Sequence, residues 1–175
     1  MDGGYRWDYP GDMDLYQGRS RNNLGALVMT RQINPAGKSL ICGFESLKLR
    51  AYPDPGTHGV PWTIGWGHTG LDVHPGMVVT EAAADVFLAE DLATAEDFVS
   101  HVAPQCTDNQ FAALVSFAYN CGRKNLQTST LLRKHNAGDY AGARLEFAKW
   151  CHADGEVMSG LVRRRAAEAA LYAAP

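Results

Sequence analysis

No stretch of this chain is apolar for long enough to cross a bilayer. A helical span needs about twenty apolar residues, whereas the early apolar run ends after Leu24-Gly25-Ala26-Leu27-Val28-Met29. That run is also too short for the apolar core of a signal peptide. The expectation is therefore no transmembrane segment and no general export signal. A large excess of charge is missing too: 16 Lys and Arg stand against 19 Asp and Glu, a formal −3. This argues against holding nucleic acid by bulk electrostatics. Cysteine is sparse. Cys42, Cys106, Cys121 and Cys151 show neither CxxC spacing nor a paired histidine pattern, so no metal is expected. Scattered cysteines in a chain without an export signal read as reduced core residues, not as a disulfide framework.

What is present is enough for one domain with two lobes: 175 residues, 46% apolar and 20% charged. Charge is unevenly spread. Residues 81–97 carry six acids and no Lys or Arg, and residues 121–165 carry nine basic side chains against four acidic ones. These are either two solvated helix faces or, for the basic half, a surface that leans on an anionic polymer such as a cell envelope. Residues 1–28 are rich in Gly, Asp, Tyr and Arg without apolar periodicity, and read as a loosely ordered N-terminal extension with no assigned function. A translation start at Met29 is the alternative.

Asn34-Pro35 reads as an N-cap followed by proline in the first turn of a helix. Leu40, Ile41 and Phe44 give that helix an apolar face, and it is expected to end near Glu45. From about 45 to 79, short alternating stretches broken by Pro53, Pro55, Gly56, Gly59 and Pro61 predict a small antiparallel sheet with a tight hairpin. Such a sheet is unstable alone and must pack on helices. Thr80-Glu81 opens a helix, and Leu88, Leu92, Ala95, Val99 and Val102 recur at helical spacing. The segment 80–102 is read as a connector. Thr107-Asp108-Asn109-Gln110 is a capping box by pattern, and the helix from Phe111 to Asn120 is apolar nearly all round, hence buried. Further helices are expected at about 128–136, 139–150 and 159–173, with Asp139 and Ser159 as caps. The class is α+β: a β lobe at 45–79, the connecting helix, and a helical lobe at 107–173. A cleft between the lobes is the natural binding place.

Two carboxylates sit at that junction. Glu45 follows the apolar Ile41-Cys42-Gly43-Phe44, a setting that favours a protonated acid. Asp54 lies in a Pro-Asp-Pro-Gly turn that is also ordinary turn chemistry. Paired carboxylates across a cleft are what glycoside hydrolysis requires. Thr63 opens the next strand, and its hydroxyl could help Asp54 hold an attacking water.

The ordered set Phe44-Glu45-Ser46-Leu47, Ala51-Tyr52-Pro53-Asp54-Pro55-Gly56 and Trp62-Thr63-Ile64-Gly65-Trp66-Gly67-His68-Thr69 resembles the catalytic segment of the phage-type lysozymes, glycoside hydrolase family 24. The likeness continues through Gln110–Phe117, Ser129–Lys134 and Gly160–Arg165, covering roughly residues 33–172. It implies a lysozyme-like bilobal fold over 29–175. It also implies a muramidase that cuts the β-1,4 bond between N-acetylmuramic acid and N-acetylglucosamine, with the family's catalytic Glu, Asp and Thr falling on Glu45, Asp54 and Thr63. One departure is the spacing, because Thr63 follows Asp54 by nine residues and not the six of short-hairpin members. Thr57-His58-Gly59 would be the extra turn.

By the same resemblance His68 is a structural histidine that pairs with a carboxylate near the lobe junction. Tyr119 and Asn120 either contact sugar or end their helix. Trp150 either stacks on a sugar or is core. Of Arg163, Arg164 and Arg165, Arg164 is the one expected to brace Glu45, with the others solvated. A Cys121–Cys151 bridge is a minor hypothesis. Activation by thiol exchange near Cys42 is rejected for want of a membrane segment. Both proton donor and water director are side chains, so no cofactor is implied.

The implied partner is the peptidoglycan glycan strand, met by a monomer. The implied setting is a phage or prophage endolysin, made in the host cytoplasm and acting in the periplasm or cell wall after release by a holin or another export partner. A lytic transglycosylase, a secreted antibacterial effector and a non-catalytic wall-binding module are the rivals.

Overall fold

The structure, a computed structural model, describes residues 31–53, 60–153 and 155–175. The readings placed on residues 1–28, on Met29, on Asp54 and on the turn at Thr57 to Gly59 lie outside the described residues. The Asn34 side chain accepts from the Gly37 amide at 2.9 Å, and Pro35 opens helix α1 (Pro35–Phe44) where its missing N–H leaves nothing unpaired. Glu45 is the C-cap, with its own N–H bonded to the Ile41 carbonyl at 3.0 Å and its backbone already extended. The chain therefore leaves the helix for the sheet at Glu45.

Strands β1 (Lys48–Pro53), β2 (Trp62–Gly65) and β3 (His68–Thr69) form one antiparallel sheet in that order. Tyr52 lies opposite Thr63, and Thr63 opposite Thr69. Trp66 and Gly67 turn β2 tightly into β3. Helix α2 (Glu81–Val102) is capped by Thr80, whose hydroxyl accepts from the Ala83 amide. It carries the sheet: Ile64, Ala51 and Val73 cluster with Phe87 of α2. Gly65, at φ +65°, lets the strand lie close, since a Cβ there would sit 3.2 Å from the Ala84 Cβ.

Helix α3 (Asp108–Cys121) begins with the capping box read in the sequence. Gln110 N–H donates to the Thr107 hydroxyl at 3.2 Å, and Thr107 N–H to the Gln110 side-chain oxygen at 3.0 Å. Every residue from Gln110 to Ala118 is buried, and α1, α2 and a C-terminal helix pack around it. Phe111, Phe117 and Phe147 are fully enclosed, each burial stabilising by roughly 2–3 kcal/mol.

The C-terminal half departs from the sequence reading in four places. Gly122, at φ +90°, ends α3, and the chain re-enters helix at once as α4 (Arg123–Thr128), anchored by the fully buried Leu126. Helix α5 (Thr130–Asn136) follows under a Ser129 cap. Helix α6 (Tyr140–Glu146), capped by Asp139 as expected, tightens into a 3-10 turn at Phe147–Lys149. A small unexpected hairpin, β4 (His152–Ala153) with β5 (Glu156–Val157), precedes α7 (Ser159–Ala173). Met158, not Ser159, holds the N-cap position of α7, and Ser159 is already helical. No helix among the described residues is long and apolar enough to cross a membrane.

Two contacts fix the described start of the chain. The Arg31 guanidinium meets the Asp108 carboxylate at 2.6 Å, and the Ile33 amide donates to Glu96 at 2.9 Å. Burial pushes the Glu96 carboxyl up from its ordinary value, partly offset by the Ile33 N–H. The folded state therefore holds that proton more tightly than the unfolded chain. The Glu96 contribution is most favourable below the ordinary glutamate range and is lost as pH rises through the folded value. In denaturant titrations, Glu96→Gln should gain stability relative to the parent at neutral pH and lose this advantage near pH 4. Helix α1 approaches α3 closely: a Cβ on Gly37 would fall 2.6 Å from the Ala112 Cβ. Gly37→Ala should therefore destabilise by about 1–3 kcal/mol, read as a lower denaturant midpoint, and Gly37→Ala with Ala112→Gly should recover part of it.

Candidate active site at the junction of sheet and helices

Four elements meet at Glu45. Its carboxylate is mostly shielded, 19% exposed, and Oε1 accepts from Arg164 Nη1 of α7 at 2.7 Å. The hairpin turn arrives from the sheet. Gly67, at φ +104°, leaves its Cβ position 3.7 Å from both Glu45 Oε2 and the Tyr119 hydroxyl. Tyr119 of α3 donates its hydroxyl to the Trp66 carbonyl at 3.2 Å. Trp66 in turn donates its indole N–H to Asp85 of α2 at 2.8 Å. Glu45 has an ionic neighbour as well as the apolar Phe44, over whose ring the Arg164 guanidinium lies at 5.8 Å.

Behind Glu45 lies a buried ionic cluster. Arg164, Arg165 and Glu168 are 4%, 1% and 0% exposed. Glu168 Oε1 accepts from Ser116 Oγ at 2.7 Å, from Arg165 Nη2 at 2.9 Å and, more loosely, from Arg164 Nε at 3.4 Å. Arg165 continues to the Asn120 side-chain oxygen at 2.8 Å and the Cys121 sulfur at 2.6 Å, and stacks over Phe117. Two buried cations thus face two carboxylates, which is the condition for burying such charge at all.

Arg164 is the arginine of the three that meets Glu45. Arg165, expected to be solvated, is instead buried and paired, while Arg163 is exposed. Asn120 belongs to the cluster through Arg165. Trp150 meets Phe117 edge-on at 5.2 Å and packs against the main core. His68 pairs through Nδ1 with Asp91 at 3.1 Å and through Nε2 with Asp72 at 3.2 Å, and stacks on Phe87 at 4.6 Å, so it joins β3 to α2. Thr63 is buried in β2 between Tyr52 and Thr69, and Asp54 lies outside the described residues. All four cysteines are free, so no Cys121–Cys151 bridge is present. Burial pushes the Cys121 thiol up, against the pull of Arg165.

Sequence reasoning missed Ser116, Arg165 and Glu168. The signals were a lone hydroxyl in an apolar helix and a Glu at three and four residues after two arginines, the spacing of facing side chains. A cavity of about 520 Å³ bounded by Pro104, Gln105, His135 and Tyr140 shares no residue with the Glu45 set.

Residues 42–168 match the family model described as phage lysozyme. The chain belongs to the phage lysozyme family. It is 44% identical over 141 residues to the endolysin of Bacillus phage B103, covering 80% of this chain and 53% of that protein. It therefore spans about half the length of the Bacillus phage relatives it matches. It is 39% identical to the endolysin of Acyrthosiphon pisum secondary endosymbiont phage 1, across 80% of this chain and 97% of that protein. The solved muramidase domain of SpmX from Asticaccaulis excentricus superposes with a TM-score of 0.76 at 36% identity, covering 83% of this chain and 99% of that one. The fold is lysozyme-like.

The His68–Asp91 pair should be a strut between sheet and connector. A double-mutant cycle of His68→Ala and Asp91→Ala, read by thermal or denaturant unfolding, should give a coupling of about 0.5–3 kcal/mol. Additive losses would show that the two side chains act separately.

Proposed function

We propose that this chain is a muramidase that hydrolyses the β-1,4 bond between N-acetylmuramic acid and N-acetylglucosamine in peptidoglycan, with residues 29–175 as its catalytic domain. The observation that carries the reading is Glu45: a shielded carboxylate where the helical body meets the sheet, held by a buried arginine, in a chain of the phage lysozyme family. In the proposed reaction Glu45 donates its proton to the glycosidic oxygen. Asp54 and Thr63 hold a water on the opposite face of the sugar, and the bond breaks through an oxocarbenium-like transition state. A single displacement with inversion needs the two carboxyls roughly 6.5–9.5 Å apart, whereas about 5 Å would suit retention.

Arg164 fixes the Glu45 side chain, and His68 supports the sheet that carries Thr63. Tyr119 stands at the junction, close enough to Glu45 to line a sugar site. Asn120 is engaged by Arg165 and Trp150 by Phe117, which favours structural duties for these two. The names of the phage relatives support an endolysin that degrades the host wall at the end of infection, with release through a holin or another export partner and action by a monomer.

Glu45→Gln should lower the rate of peptidoglycan digestion by about a thousandfold and still fold, because its amide oxygen can accept from Arg164, at a stability cost of about 1–3 kcal/mol. A Gln variant that still clears walls would overturn the assignment. Mass spectrometry of the products should show reducing ends, one water heavier than the anhydro ends of a transglycosylase.

A further inference from the structure

We propose that Glu168 is a positioning residue that divides the charge of Arg164, leaving Glu45 free to hold the proton it donates. The inference rests on the reading of Glu45 as the general acid. Arg164 reaches two carboxylates from one guanidinium: Nη1 lies 2.7 Å from Glu45 Oε1, and Nε lies 3.4 Å from Glu168 Oε1. A cation with Glu45 as its sole counter-charge would hold that carboxylate ionised, because an opposite charge within about 4–6 Å favours the charged form. An acid that must carry a proton at the start of each turnover cannot be that cation's only partner.

Glu168 supplies the second carboxylate: burial pushes its carboxyl up, while Arg165, Arg164 and the Ser116 hydroxyl favour the ionised form. It is fully buried, receives the Ser116 hydroxyl at 2.7 Å, and is met by Arg165 from its own helix. When Glu45 is protonated, Arg164 and Arg165 still face Glu168. When Glu45 and Glu168 are both ionised, they balance Arg164 and Arg165.

The charged and titratable groups that face this pair come from three elements. Arg164 from α7 meets Glu45, the Tyr119 hydroxyl from α3 stands across Gly67 from it, and Cys42 adjoins it on α1. Arg164 and Arg165 from α7, with Ser116 and Cys121 from α3, stand against Glu168. A purely structural Glu168 would anchor α7 to α3 and leave the protonation of Glu45 untouched. A charge-dividing Glu168 makes that protonation depend on the net charge behind it, with a sign that can be reversed.

The test uses the full chain and three variants: Glu168→Gln, Arg165→Gln, and the two combined. Two readouts are compared, the pH dependence of kcat/KM on soluble peptidoglycan fragments and a carbon-13 NMR titration of the Glu45 carboxyl. Glu168→Gln should move the Glu45 midpoint, and the alkaline limb of activity, down by about one pH unit. Arg165→Gln should move both up, and the double variant should return them toward the parent. Loss of folding cannot produce shifts of opposite sign. Should Glu168→Gln fail to fold, the upward shift in Arg165→Gln and its reversal in the charge-neutral double variant carry the test. Midpoints that stay put in folded variants overturn the proposal. A Glu45 midpoint that moves while the activity limb does not, or a Glu45→Gln variant that remains active, would instead overturn the reading of Glu45 as the acid.

Discussion

The contact on which the molecule depends is the guanidinium of Arg164 between two carboxylates. A buried arginine is tolerable only when its charge is met, and here the two carboxylates come from opposite directions. Glu45 arrives at the end of α1, and Glu168 lies one turn further along α7. Ser116 brings α3 into the same cluster. Three helices distant in sequence are thus held by one set of charges, and the residue assigned the chemistry sits at its solvent-facing edge.

The sheet depends on the helices in a different way. Its own apolar cluster is small, so its stability comes from lying on α2 through Ile64 and Phe87. Gly65 permits that approach by having no Cβ to collide with Ala84. Polar contacts then fix its orientation: His68 to Asp91 and Trp66 to Asp85 both run from the second hairpin to α2. Tyr119 ties the same turn to α3. The hairpin turn is therefore the best-anchored part of the sheet among the described residues.

Much of this was legible in the residues. Caps such as Asn34, Thr80, Thr107 and Asp139 act through hydrogen bonds to amides two or three residues away, so local sequence announces them. The continuous apolar run of α3 announced its burial in the same way. The brace from Arg164 to Glu45 was legible only through resemblance to a family, because nothing local links residues 119 positions apart. Arg165 and Glu168 escaped because a charged side chain on an amphipathic helix ordinarily faces water. What overrides that default is Ser116 on another helix, a partner no periodicity reveals. Helix α4 escaped because Gly122 suggested a longer break than the chain makes. Its single buried anchor, Leu126, is too little periodicity to recognise.

Helix α1 has a mechanical consequence. Asn34 at its start bonds Asn109 of α3 at 2.7 Å, Gly37 seats its first turn against Ala112, and Glu45 at its end is gripped by α7. At ten residues it is a short rod of about 15 Å, fixed at both ends to the helical body. Glu45 therefore belongs mechanically to the helices, although it stands at the entrance to the sheet. Thr63 belongs to the sheet. Any hinge motion of the sheet away from the helices changes the gap between Glu45 and Thr63 while leaving Glu45 on Arg164. In the proposed reaction, substrate admission and proton delivery would then fall to separate joints of the same small molecule.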